Sequence, residues 1–351
     1  MAWAPTSLAD LLDHTFDTVI DVRSPAEFAE DHVPGAINLP VLDDAERARV
    51  GTLYTQVSPF DARKLGAALV FRNAATHIEG ALADHEGGWK PLVYCWRGGQ
   101  RSGSFAWLLS EIGWRADLIE GGYKTYRRLV VDMLHRDVLA HRIVQLGGYT
   151  GTAKTELLPL LAARGVQVID LEGLANHRGS LLGDMGGQPS QKAFESALAG
   201  QLCRLDPARP VLVEAESSKI GDLLIPPSLW GAMKRAPWIE LSAPIAARTE
   251  YLVRAYDDIL RDEAGLQAKL APLKAHRSEA LVARWSELSA AGDRRGLVRS
   301  LMEDHYDLAY AKSMKATAPT VLTRIEAEGL TPAHLDQVAE QIAEAVQSIE
   351  M

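Results

Sequence analysis

Arg142-Ile143-Val144-Gln145-Leu146-Gly147-Gly148-Tyr149-Thr150-Gly151-Thr152-Ala153-Lys154-Thr155 is the stretch on which the fold turns. Its β-branched run reads as a buried strand, its glycines as a tight turn, and residues 156–164 behind it as a helix. From Gly148 the spacing is G-x-x-x-x-A-K-T, the phosphate-loop pattern with Ala153 in place of the second glycine. Loop amides and the helix N-terminus would wrap a diphosphate, Lys154 would reach across it, and the Thr155 hydroxyl suits Mg²⁺. Gly148, Gly151, Lys154 and Thr155 are therefore the candidate phosphate-binding residues. The Ala153 methyl falls where backbone normally approaches phosphate, and Pro159 interrupts the early part of the helix. A glycine-rich turn that binds nothing is the plain alternative.

Further strands follow at Val166-Gln167-Val168-Ile169-Asp170, Val211-Leu212-Val213-Glu214 and Trp238-Ile239-Glu240-Leu241, separated by helical patterns, so this part of the chain reads as a parallel α/β sheet. After Pro244 it reads mainly helical, with one more strand at Thr320-Val321-Leu322. Glu214 and Glu216 end a strand as a second acidic motif: Glu214 could touch a metal or its water and Glu216 could orient a nucleophile. A solvated strand end is the competing reading. Asn176, His177 and Arg178 lie in a polar, glycine-rich loop after another strand, at the sheet edge where α/β ligands bind, and are a candidate substrate loop; a merely solvated loop competes.

Upstream, strands at Thr18-Val19-Ile20-Asp21-Val22, Leu92-Val93-Tyr94-Cys95 and Ala116-Asp117-Leu118-Ile119 form a separate series. The spacing places the division at 130/131, within the helical, initially basic stretch 126–141. Leu92-Val93-Tyr94-Cys95-Trp96-Arg97-Gly98-Gly99-Gln100-Arg101-Ser102 runs from strand through tight loop to helix, with Phe105, Leu109 and Ile112 on one face and Gly113 ending it. Cys95 is the candidate nucleophile, and Arg97, Gly98, Gly99 and Arg101 form a candidate anion loop. Amides, a helix N-terminus and two arginines stabilise a thiolate and cradle an oxyanion. Two chemistries suit it. Arg101, six residues after Cys95, fits a cysteine phosphatase; a sulfur- or selenium-carrying thiolate fits equally. Ser24, Pro25 and Glu27 read as N-cap, first helical residue and capping-box partner. Cys203 lies off the apolar stripe Phe194, Leu198, Leu202, Leu205 and reads as incidental.

The 351 residues carry 37 Lys+Arg against 46 Asp+Glu, a net charge of -9, spread over both halves. Two cysteines build neither a disulfide framework nor a cysteine-ligated zinc site, which suits a reducing cytoplasm. The N-terminal stretch lacks a basic segment before an apolar core, and no apolar run is long enough to span a bilayer, so neither signal peptide nor membrane association is expected. The charge speaks against a broad basic nucleic-acid face but not against a local track. Lys124, Arg127 and Arg128, Lys234 and Arg235, and Arg294, Arg295 and Arg299 are its candidate members, each more often a solvated helix face. Trp96 and Tyr149 could stack on a base or a prenyl chain, although packing is the commoner role.

Ile20-Asp21-Val22-Arg23-Ser24-Pro25-Ala26-Glu27-Phe28, His32-Val33-Pro34-Gly35-Ala36-Ile37-Asn38-Leu39-Pro40, Glu120-Gly121-Gly122-Tyr123 and the cysteine loop resemble the rhodanese family. In order with the phosphate loop, Asp170-Leu171-Glu172-Gly173-Leu174-Ala175-Asn176-His177-Arg178-Gly179-Ser180 and Val213-Glu214-Ala215-Glu216-Ser217-Ser218-Lys219-Ile220-Gly221, they resemble the tRNA 2-selenouridine synthase family. The resemblance implies an N-terminal rhodanese-like domain, 1–130, followed by a P-loop NTPase-like parallel-sheet domain with a helical C-terminal region, 131–351. It further implies replacement of sulfur by selenium in 2-thiouridine at the tRNA wobble position, with selenophosphate as donor. An S-geranyl intermediate would be made from geranyl diphosphate, and Cys95 would be the selenium-carrying nucleophile. The partners would be tRNA and a selenophosphate-supplying synthetase, with no tightly bound cofactor. The substituted phosphate loop leads us to expect that it grips geranyl diphosphate rather than driving ATP hydrolysis. A rhodanese-type sulfurtransferase or cysteine phosphatase fused to a nucleotide-binding domain is the alternative.

Overall fold

The computed structural model describes residues 2–180, 182–275 and 277–349. The chain forms two compact units, and they are not simply sequential. The first comprises Met1–Asp137 with Pro189–Arg204, the second Val138–Gln188 with Leu205–Met351.

In the first unit, strands β1 (Ala2–Trp3), β2 (Thr18–Asp21), β3 (Ile37–Asn38), β4 (Pro91–Tyr94) and β5 (Asp117–Ile119) form a parallel sheet in the order β1-β5-β4-β2-β3. β2 and β4 lie inside it and are buried on both faces, as in a helix-covered parallel sheet. Ile20, Val93, Phe105 and Leu109 are fully buried in its core. The helix Gln100–Ile112 follows β4 through the cysteine loop and ends at Gly113, whose φ of 108° supplies the left-handed cap.

The helix Gln191–Arg204 lies in sequence between strands of the second unit yet packs in the first. Polar contacts explain it. Buried Glu195 takes an ion pair from Arg127 and a hydrogen bond with His135 Nε2 at 3.0 Å, while Lys192 Nζ reaches Glu30 at 2.6 Å. Cys203, on this helix, is half-buried, and burial together with Asp13 pushes its thiol up.

In the second unit, β6 (Arg142–Gly148), β7 (Gln167–Ile169), β8 (Pro210–Glu214), β11 (Trp238–Ser242) and β12 (Val321–Glu326) form a parallel sheet in the order β12-β11-β6-β8-β7; a small hairpin joins β9 (Lys219–Ile220) to β10 (Leu223–Leu224). The central β6 is buried from Ile143 to Gly148. The helices between Ile245 and Thr317 pack around Trp285, which is fully buried and donates its indole N–H to Ser300 at 2.9 Å. The C-terminal helix Pro332–Gln347 covers the sheet with Leu335, Ala339 and Ile342. This is the expected α/β class: a helical C-terminal region attached to a parallel-sheet core. Among the described residues, no helix is long and apolar enough to cross a membrane.

Candidate functional site

Each unit carries a candidate site at the C-terminal ends of its strands, where parallel α/β sheets place ligands. In the first, Cys95 follows β4 and is 3 % exposed. Ser102, on the first turn of the following helix and fully buried, donates its hydroxyl to Cys95 Sγ at 3.1 Å. That hydrogen bond fixes the sulfur against the first turn of the helix. Spacing alone does not single out Ser102, because only the folded loop brings it over the sulfur. The carbonyls of Cys95 and Trp96 accept the N–H groups of Tyr123 (2.8 Å) and Lys124 (3.2 Å), which open the helix Tyr123–Val131.

The two loop arginines differ in environment. Arg97 is exposed. Arg101 Nη1 donates to Glu27 Oε2 at 2.9 Å, and the same oxygen accepts Arg47 Nε at 2.9 Å. Glu27 also accepts the Ser24 N–H at 3.2 Å, so the capping carboxylate of the helix Pro25–Glu30 doubles as an anchor for the cysteine loop. Burial raises the Glu27 pKa, but Arg101 and Arg47 outweigh it and hold the carboxyl below its usual range. Gly98 has φ 66°, and a Cβ there would meet the Ile119 carbonyl at 3.0 Å, so the loop needs glycine at this turn.

In the second unit, the phosphate loop leaves β6 and opens the helix Lys154–Ala163, which carries Pro159 within it. Gly151 has φ 84°, and a Cβ there would sit 2.7 Å from Leu252 Cδ1. Ala153 takes φ 60°, ψ 31°, the left-handed conformation that glycine adopts without strain, and its methyl is buried. Lys154 Nζ turns back onto the Gly148 carbonyl at 3.1 Å. Pairing of Leu146 with Glu214 across β6 and β8 sets the acidic motif beside this loop.

Glu214 is buried, not a solvated strand end, and its Oε2 accepts the Leu171 N–H at 2.8 Å. Burial, then Asp170 and Glu172, push its carboxyl well above the ordinary range. Glu216 is pushed up to about 8, by burial first and Glu172 second, against the opposing pull of Lys154. Glu172 links the two motifs, since its Oε2 accepts Thr155 Oγ1 at 3.0 Å. Spacing gave it no role. A cavity of about 600 Å³ is lined by the phosphate loop, Glu172, Glu214, Glu216 and the 176–180 loop, with Tyr251, Leu252 and Tyr256 as an apolar and aromatic wall. A smaller apolar cavity of about 30 Å³ adjoins it at Leu252 and Tyr256.

Asn176, His177 and Arg178 all line the larger cavity and are also bonded within the unit. Asn176 Nδ2 donates to the Gly186 and Gly187 carbonyls, His177 Nδ1 accepts the Gly179 N–H, and Arg178 forks onto Asp258 with both distances 3.1 Å. Tyr149 packs against Tyr310 and lies under buried Arg248. Of the candidate basic track, Arg127 is committed to Glu195, and Arg294, Arg295 and Arg299 pair with Asp257, Glu250 and Glu303. Lys124, Arg128, Lys234 and Arg235 are exposed.

Comparison with known proteins matches two family models to successive parts of the chain. A rhodanese-like domain model matches residues 4–129, and a tRNA 2-selenouridine synthase AAA domain model matches residues 141–271. A tRNA 2-selenouridine synthase of Hahella chejuensis is 33% identical over 348 residues, covering 88% of each chain. One from Cupriavidus pinatubonensis is 32% identical over 348 residues, covering 89% of this chain and 93% of its own. One from Pseudomonas syringae pv. syringae is 39% identical over 246 residues, covering 68% of this chain and 65% of its own.

Proposed function

The chain belongs to the tRNA 2-selenouridine synthase family, and from that membership we propose that it is an enzyme exchanging sulfur for selenium in 2-thiouridine at the tRNA wobble position. Selenophosphate is the donor, S-geranyl-2-thiouridine made from geranyl diphosphate is the intermediate, and Cys95 serves the selenium-transfer step, in which selenium replaces geranylthiolate at the base and the phosphoryl group then passes to water as inorganic phosphate. The partners are tRNA and a selenophosphate-supplying synthetase, and the setting is the cytoplasm.

One observation carries the division of labour: a phosphate loop faces a cavity of about 600 Å³ whose wall includes Tyr251, Leu252 and Tyr256. Gly148 and Gly151 let the backbone approach a diphosphate, and Lys154 leaves the Gly148 carbonyl to pair with it. The apolar wall suits a hydrocarbon tail. Mg²⁺ fits the hard oxygen donors here, with Thr155 Oγ1 as the protein ligand and Glu172 within reach. Among the described residues, no group of three or more His, Cys, Asp or Glu side chains is arranged to hold a metal alone, so the diphosphate and water would complete the shell. Bound there, Mg²⁺ would neutralise charge on the leaving diphosphate.

In the other unit, Ser102 holds the Cys95 sulfur by a hydrogen bond while Arg97, Gly98 and Gly99 offer the oxyanion a cradle. The attachment of Arg101 to Glu27 supports chalcogen transfer over a phosphatase, in which that arginine would clamp the phosphate itself.

Mass spectrometry of nucleosides tests the reading. Thiolated tRNA incubated with enzyme, geranyl diphosphate and selenophosphate should yield 2-selenouridine without ATP or GTP. Cys95→Ala should stop at the geranylated nucleoside. Strict nucleotide dependence of the geranyl step would overturn the assignment of the phosphate loop, and loss of both steps in Cys95→Ala would overturn that of Cys95.

A further inference from the structure

Trp96 directly follows the reactive cysteine, is partly exposed, and lays one face on Tyr123, with centroids 5.2 Å apart and planes 29° from parallel. Tyr123 is itself fixed from behind. Its hydroxyl donates to buried Asp31 at 2.8 Å, and the Arg23 guanidinium stacks on its ring at 4.0 Å while bound to Asp21 in the core. Trp96, Tyr123 and Arg23 thus form a column anchored in the unit and ending at the surface beside Cys95.

The surroundings are cationic. Arg97 is exposed, and so are Lys124 and Arg128, which lie four residues apart on the helix whose first N–H groups hold the Cys95 and Trp96 carbonyls. None of the three enters an ion pair among the described residues. A rigid aromatic ring beside a reactive group and a short cationic rail match a single-stranded nucleic acid with one unstacked base.

Resting on the functional reading above, we propose that Trp96 is the positioning residue on which the unstacked wobble pyrimidine stacks as it is presented to Cys95, with Lys124 and Arg128 holding the flanking phosphates. The ring fixes the plane of the base, and the backbone bonds from Tyr123 and Lys124 fix the distance from that plane to the sulfur.

The test is a binding cycle on the full-length protein with two synthetic anticodon stem-loop RNAs, one carrying 2-thiouridine at the wobble position and one abasic there. Trp96→Ala should weaken binding of the thiouridine RNA about tenfold or more, the usual effect of losing one aromatic–base stack. It should leave binding of the abasic RNA unchanged, and Trp96→Phe should restore most of the loss. Lys124→Ala with Arg128→Ala should weaken both RNAs alike and reduce the slope of log K against log salt by about one to two. Equal weakening of both RNAs by Trp96→Ala, or none of either, would overturn the proposal. Selenation is followed separately in the same samples. Its absence in the wild-type protein would overturn the functional reading, whereas the cycle alone decides the stacking platform.

Discussion

Thr155 Oγ1 donates a 3.0 Å hydrogen bond to Glu172 Oε2, so the hydroxyl that a phosphate loop offers to a cation is held by a carboxylate from the next strand-to-helix turn. The same carboxylate raises the pKa of Glu216, though less than burial does.

The first prediction follows from that coupling. Burial first and Glu172 second push the Glu216 carboxyl up to about 8 from an ordinary 4.5. An acid whose pKa is raised by folding binds its proton more tightly when folded, so its cost is absent below about 4.5, grows as pH rises to about 8, and is constant above. Glu216→Gln should therefore gain thermal stability over the wild-type protein progressively across that window, and Glu172→Gln should do so to a smaller extent. Thermal unfolding at a series of pH values measures this; parallel curves for wild type and Glu216→Gln would contradict it.

Lys154 is the lysine of the phosphate loop, and its Nζ donates to the Gly148 carbonyl at 3.1 Å. A hydrogen bond to a charged group contributes about 1.5–3 kcal/mol, so Lys154→Ala should weaken inorganic diphosphate about ten- to a hundredfold. Calorimetric titration reads it directly. An unchanged affinity would remove the phosphate loop from diphosphate binding.

The phosphate loop was legible because its determinants are local: a β-branched strand, glycines, and Lys154-Thr155 at fixed spacing. The same holds for the helix stop at Gly113. What escaped was non-local. Glu27 caps its own helix, as the sequence implies, yet its grip on Arg101 spans 74 residues. The helix Gln191–Arg204 joins the first unit through Arg127 and Glu195, 68 residues apart, a pairing no periodicity reveals. Ser102 and Glu172 sat in view within their motifs, but their partners Cys95 and Thr155 are set by how strand, loop and helix close on one another. β1 is only 2 residues long, too short for a pattern.

Ala153 holds φ 60° with its methyl buried among core residues. A left-handed alanine costs about 1 kcal/mol, close to the value of about 0.8 kcal/mol for one buried methyl-sized group. Ala153→Gly relieves the strain, loses the contact and loosens the unfolded chain, so its stability should stay within about 1 kcal/mol of wild type. Ala153→Val places a β-branched side chain in the same conformation and should lose about 2 kcal/mol or more. Urea denaturation separates the two; a marked gain for Ala153→Gly would show that the methyl contributes nothing.

Ser102 is fully buried, and its hydroxyl lies 3.1 Å from Cys95 Sγ, so it acts on the sulfur without meeting solvent. Removing the donor takes away the hydrogen bond that fixes the Cys95 sulfur and should slow its alkylation about two- to tenfold, the worth of one ordinary hydrogen bond. Cys203 supplies the internal reference, because its half-buried thiol is governed by burial and Asp13 and has no contact with the loop serine. Labelling with iodoacetamide, followed by peptide mass mapping, should show Ser102→Ala slowing Cys95 while Cys203 keeps its wild-type rate. Slowing of both thiols alike would mean that the substitution loosens the unit as a whole, and an unchanged Cys95 would mean that the serine has no part in its reactivity.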